Sequence, residues 1–148
     1  MTGVLNADLI LDEIIGKIGA INGVTSLDGF LVHYADDLLD KDNGVNFPCV
    51  AIQLETEDAM ADNNGKLKLE RTYKLIGAID ALDSTKVNKG LNKLLHDVRV
   101  ALYSDQYVAN DSKASKIALT NVKFKLPDNS DVYALFEATL NTTYMESI

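Results

Sequence analysis

The chain has no tryptophan, two prolines, two histidines and one cysteine, and each shortage narrows what it can do. A lone cysteine, Cys49, cannot close an internal disulfide, which suits a reducing cytoplasm. Two histidines, His33 and His96, with one cysteine and no pairing motif between them, do not make up the usual ligand set of a zinc site. No run of about 18 apolar residues is available to span a bilayer, so no membrane contact is expected. The opening stretch MTGVLNADLILDEII has no basic region before it and carries Asp8, Asp12 and Glu13 within it, unlike a signal peptide. The glycines follow neither the G-x-G-x-x-G nor the G-x-x-x-x-G-K-[ST] pattern, so no phosphate cradle is indicated. Basic residues are also scarce, 14 against 22 acidic ones, for a net charge of −8. A domain of that sign repels phosphate backbones and is not expected to wrap nucleic acid tightly, although DNA could pass loosely along acidic walls.

What remains is an ordinary globular composition, 47% hydrophobic and 24% charged over 148 residues, read as one domain spanning residues 1–148. Leu5, Leu9, Ile14, Ile18 and Ile21 recur near the helical period, with Ile10, Leu11 and Ile15 widening the stripe. Asn6 is placed as the N-cap of this first helix, and Asn22-Gly23 as its end. Phe30–Tyr34 reads as a short strand running into a polar loop through Gly44. Phe47-Pro48 opens the next strand, with Val50, Ile52 and Leu54 on one face; proline fits a strand's first position because it cannot donate to the ladder. Residues 58–65 read as a turn-rich tip with Asn64-Gly65 as a hairpin signal.

A long third strand follows. Leu67, Leu69, Tyr73, Leu75 and Ile79 share one parity, interrupted by Arg71 and Gly77. Lys66, Lys68, Glu70, Thr72 and Lys74 take the other, facing solvent or a partner. The clearest periodicity belongs to a second helix capped by Ser84, in which Val87, Leu91, Leu94, Leu95, Val98 and Leu102 form the buried stripe. Gly90 within it is a candidate for close packing on the sheet. Residues 103–115 read as a polar loop. Ile117 and Leu119 then change parity with Val122, Phe124 and Leu126, which implies a bulge near Thr120-Asn121. A turn at 127–131 leads to regular alternation from Val132 to Leu140. The expected fold is α+β, order α-β-β-β-α-β-β: a mostly antiparallel five-stranded sheet with two helices packed on one face. The second-helix stripe should rest on the face bearing Val50, Ile52 and Leu54.

Chemistry is thin against this frame. His33 reads as a strand residue and His96 as a polar-face helix residue beside Asp97. No nucleophile elbow or comparable signature accompanies either. Asp36, Asp37, Asp40 and Asp42 hint at calcium. However, the glycine of Asp40–Gly44 comes one position early for a calcium loop, and the twelfth position is Ala51 rather than glutamate, so the segment reads as a solvated loop. Lys66, Lys68, Arg71 and Lys74 form a small basic stripe interrupted by Glu70, either a solvated strand face or a partner contact. No catalytic, cofactor-binding or metal-binding residue is assigned, and no enzymatic activity is expected.

Taken together, the opening helix, the strand and acidic loop, Phe47-Pro48-Cys49-Val50-Ala51-Ile52, the long hairpin ending in Ile79-Asp80-Ala81, the helix through Leu91–Val98 and the closing strand pair resemble the tail terminator (tail completion) proteins of long-tailed phages. The resemblance is to a layout covering nearly the whole chain. It implies a homo-oligomeric, hexameric ring in the virion, at the head-proximal end of the tail, assembled in the host cytoplasm. Such a ring caps the tail tube protein, stops its polymerisation and offers the surface to which head–tail connector proteins join. DNA is then only passing cargo, and Asp36, Asp37, Asp40 and Asp42 are candidates to line its channel. The alternatives are another phage structural subunit, of tail tube or connector, and a small-ligand-binding or enzymatic α+β domain.

Overall fold

The computed structural model describes residues 5–29, 47–63, 65–80, 85–103, 114–126 and 133–147. They form α1 (Asn6–Gly19), β1 (Thr25–Asp28), β2 (Cys49–Asn63), β3 (Lys66–Asp80), α2 (Val87–Tyr103), β4 (Ala114–Lys125) and β5 (Tyr133–Ser147). The five strands make one sheet in the order β1-β2-β3-β5-β4. Three of its pairings are antiparallel, and β1 joins β2 in parallel. The expected α+β class, the five strands and the mostly antiparallel sheet are therefore observed. A short first strand precedes β2 as the expected order has it; it lies at Thr25–Asp28, a stretch with no strand periodicity, and backbone bonds at and just after it hold it to the neighbouring segment. The Thr25 amide donates to the Pro48 carbonyl and the Gly29 amide to the Ile52 carbonyl. The strand expected at Phe30–Tyr34 and the turn at 127–131 lie outside the described residues, as do His33, Asp36, Asp37, Asp40, Asp42, the Ser84 cap and residues 104–113.

Both helices bury their apolar stripes in one cluster with a single face of the sheet, where Val50, Ile52, Tyr73, Leu75, Phe136 and Leu140 lie. The α2 stripe is buried as the periodicity requires: Val87, Leu91, Leu94, Leu95, Val98 and Leu102. On α1 the buried set is Ala7, Ile10, Ile14 and Ile18, a stripe turned slightly from the expected one; Leu5 is exposed, and Leu9 is only partly buried. Leu54 departs further. It is exposed, although its register partner Tyr73 is buried in the cluster. Across the other face of the sheet lies a second, smaller cluster of Cys49, Ala51, Ile76, Ala78 and Leu135.

Residues 58–63 are not a turn-rich tip but the end of β2. The register carries on to Asn63↔Lys66, leaving two residues in the connection, of which Gly65 has φ +83°. In the same way β5 does not stop near Leu140. It pairs with β3 over the whole span from Asp80↔Tyr133 to Lys66↔Ser147. The polar but β-branched residues Thr142 and Thr143 sustain this extension, and the buried Thr142 hydroxyl donates to the Arg71 carbonyl at 3.1 Å. The expected bulge in β4 is present as a register shift between Thr120 and Lys123, with Asn121 at φ +53°.

The N-terminus of α1 is capped from the far end of the chain. Leu5, not Asn6, stands at the N-cap position and supplies no side-chain bond. The Glu146 carboxylate instead accepts the amides of Asn6 and Ala7, each at 3.0 Å, and the Asn6 side chain donates to the Met145 carbonyl at 2.7 Å. A carboxylate there satisfies two otherwise orphaned donors and meets the positive end of the helix dipole. Glu146→Ala should therefore lower stability by roughly 0.5–2 kcal/mol, the range for loss of an N-cap. A chemical denaturation midpoint indistinguishable from that of the parent protein would refute this role for Glu146.

Candidate functional site

The residues singled out for chemistry are not brought together. His96 is exposed on α2. Cys49 is buried at the start of β2, and burial pushes its thiol up to about 11, so the nucleophilic thiolate is suppressed at neutral pH. The basic stripe divides between the two faces of the sheet. Lys66, Lys68 and Lys74 share a parity on β3, whereas Arg71 points to the helix side with Tyr73.

Arg71 belongs to a compact polar group on the helix-side face of the sheet, towards its β2 edge. Its guanidinium approaches Glu57 through both Nε at 3.0 Å and Nη2 at 2.8 Å, and lies 5.6 Å from the centre of the Tyr144 ring. The Tyr144 hydroxyl donates to the same Glu57 oxygen at 2.8 Å. This bond, more than Arg71, holds the Glu57 carboxyl below its usual range, while burial raises the Tyr144 hydroxyl. Next to this group, the Tyr73 hydroxyl is fully buried with no hydrogen-bond partner of ordinary geometry. Burial raises its pKa, and the charge of Arg71 pulls the other way. Each member thus has its partner within the cluster except Tyr73. The arrangement ties β2, β3 and β5 together.

The Tyr73 hydroxyl makes a sharp test of this account. A buried, unpaired hydroxyl carries a desolvation penalty that phenylalanine would not. Tyr73→Phe is expected to leave stability unchanged or raise it by up to about 1 kcal/mol. A loss of that size in urea denaturation would mean that the hydroxyl is held by Arg71 after all.

Two kinds of surface among the described residues, a groove and the sheet edges, offer room for a partner. The first is a groove of about 580 Å³ between the turn after α1, Phe47-Pro48, the end of β3 and the first half of α2. Val24, Phe47, Pro48, Ile79, Gly90 and Leu94 line it with apolar surface; Asp80, Lys86, Lys93 and Asp97 are its charged side chains. Lys93 and Asp97 pair across one helical turn at 2.7 Å. Gly90 sits against the sheet as expected, since a Cβ there would come within 2.7 Å of the Ile79 Cδ1. His96 is not among the lining residues.

The second surface is the pair of sheet edges. β1 covers β2 only from Cys49 to Ile52. From Gln53 onward β2 has no strand on its outer side among the described residues. Its register shifts between Leu54 and Thr56, and again between Ala59 and Ala61. At the opposite edge, β4 likewise has no outer neighbouring strand among the described residues, although the Leu119 amide donates to the Tyr103 hydroxyl at 2.6 Å. Bulges and a capped amide make these edges selective rather than freely adhesive.

Set against known proteins, the sequence matches no family model and no curated relative. Among the described residues, no helix is long and apolar enough to cross a membrane.

Proposed function

We propose that this chain is a structural assembly subunit that works as a closed ring, of the kind that terminates a phage tail tube, ends its polymerisation and presents the surface for head joining. The observation that carries the reading is the length of β2, which runs from Gln53 to Asn63 with no strand on its outer side among the described residues. Open edges of this length are an aggregation hazard in a monomer and are covered when identical subunits close a ring. The layout resemblance supplies the tail-terminator part of the reading. Light scattering at tens of micromolar, with negative-stain imaging in the presence and absence of tail tubes, tests it. The expected result is a discrete particle of about six subunits that seats on tube ends. A strict monomer in both conditions overturns the ring, and open filaments transfer the chain to the tube class.

The groove favours a second reading, as a site for a small apolar ligand, since its volume and lining fall in the range of ligand pockets. Saturable displacement of an environment-sensitive apolar dye, abolished by Gly90→Leu with the fold intact, would support it; dye binding unaffected by that change would dismiss it.

A further inference from the structure

The two edges of the sheet carry opposite charge. Beyond Ile52, β2 contains Glu55, Glu57, Asp58 and Asp62 and no basic residue; β4 contains Lys116, Lys123 and Lys125 and no acidic one. Glu57 is met by Arg71 within the subunit, so the described carboxylates left at the β2 edge are Glu55 and Asp58, both exposed. Among the described residues, Glu55 meets the Thr72 hydroxyl at 3.3 Å. Lys123 and Lys125 are exposed as well, with Glu137 the register partner of Lys123. Charges placed only to keep edges apart would serve best with one sign on both, because unlike edges attract.

The apolar residues repeat the match. Leu54 (66% exposed) and Met60 (52%) lie on β2, Phe124 (51%) lies near the end of β4, and Leu126 (54%) directly follows it. Register places Leu54 and Phe124 consistently. Leu54 pairs with Tyr73, and Phe124 with Phe136 and through it with Gly77, so Leu54 and Phe124 share the helix-side face. Asp58 pairs with Glu70, and Lys123 with Glu137 and through it with Ile76, so Asp58 and Lys123 share the opposite face. Successive antiparallel pairings also leave β4 running against β2. A sheet continued from one copy to the next by rotation therefore sets β4 antiparallel to β2, apolar side chains beside apolar ones and lysines beside carboxylates.

We propose that the acidic β2 edge of one copy of this chain pairs with the lysine-bearing β4 edge of the next, head to tail. The proposal rests on the ring reading and names its interface. Since β1 occupies Cys49–Ile52 and Tyr103 occupies the Leu119 amide, the pairing uses β2 from Gln53 onward and the stretch of β4 beyond the bulge. Neighbouring copies are then offset along the strands, the stagger that a tilted, closed sheet requires.

Two charge-reversed variants test it, Glu55→Lys/Asp58→Lys and Lys123→Glu/Lys125→Glu, each checked for a cooperative thermal melt. At low salt each variant alone should need about tenfold or more protein to assemble, because its two edges now carry the same sign. Mixed in equal amounts, the two should assemble at the parent protein's concentration into rings containing both in a 1:1 ratio. Unaltered assembly of either variant, or failure of the folded pair to rescue one another, overturns the edge pairing while leaving the ring reading intact. A parent protein that stays monomeric overturns the ring reading and the pairing together. Should a variant fail to melt cooperatively, amide exchange of the parent protein decides instead. Residues 53–60 and 121–126 should gain protection on assembly, and unchanged exchange there is a refutation.

Discussion

Gly77→Ala is expected to destabilise the fold by roughly 1–3 kcal/mol, the cost of forcing extra volume into a packed core. Gly77 sits in the middle of β3 opposite Phe136 of β5, and a Cβ built on it would lie 2.2 Å from the Phe136 ring. The ring lies across the bare glycine, filling the space that a side chain would otherwise take. Phe136 is fully buried, so backbone and helices both limit its escape. The decisive measurement is a double-mutant cycle with Phe136→Leu, which trims the ring. On the parent background Gly77→Ala should carry the full penalty, and on the Phe136→Leu background most of it should vanish. An equal cost on both backgrounds would show that strand conformation, not the ring, governs this position.

In sequence this glycine appears only as a break in an otherwise regular alternation, and the same limit recurs elsewhere. Elements held by their own periodicity are legible: the α2 stripe, the β4 parity change at Thr120-Asn121 and the first half of β5. Elements held by partners distant in the chain are not. β1 is four residues long and exists through its parallel pairing with β2, a register with no local signal. Asp58 to Asn63 have poor strand propensity and look like a turn, yet β3 pairs with them because β5 supports it from the other side. The α1 cap is a carboxylate 140 residues away. Charge alone groups Arg71 with the lysines, whereas its parity with Tyr73 puts it on the helix side. Edge complementarity was the least legible of all. The charges of β2 and β4 are plain in the sequence, but only the strand order and the shortness of β1 leave these two strands without an outer neighbour among the described residues.

Leu95→Ala is expected to cost roughly 2–5 kcal/mol, the range for truncating a buried leucine. Leu95 is buried on α2, within the cluster that joins both helices to the sheet face of Val50 and Ile52. Its loss removes apolar contact and leaves a cavity whose walls belong to a sheet and two helices, which cannot all close in at once. The helix supplies its own control. Val100 lies on the same α2 but is 54% exposed, so Val100→Ala should change stability by no more than about 0.5 kcal/mol in either direction. The contrast separates burial from helix propensity, because alanine favours helix at both positions and so works against the predicted loss at Leu95. Urea denaturation of the two variants side by side reads the difference directly. Losses below about 0.5 kcal/mol at Leu95, or comparable losses at both sites, would mean that α2 presents a different face to the sheet. Leu95 acts through the core and Glu55, Asp58, Lys123 and Lys125 through the rim, so Leu95→Ala should lower the melting temperature while leaving the assembly concentration of the folded protein unchanged.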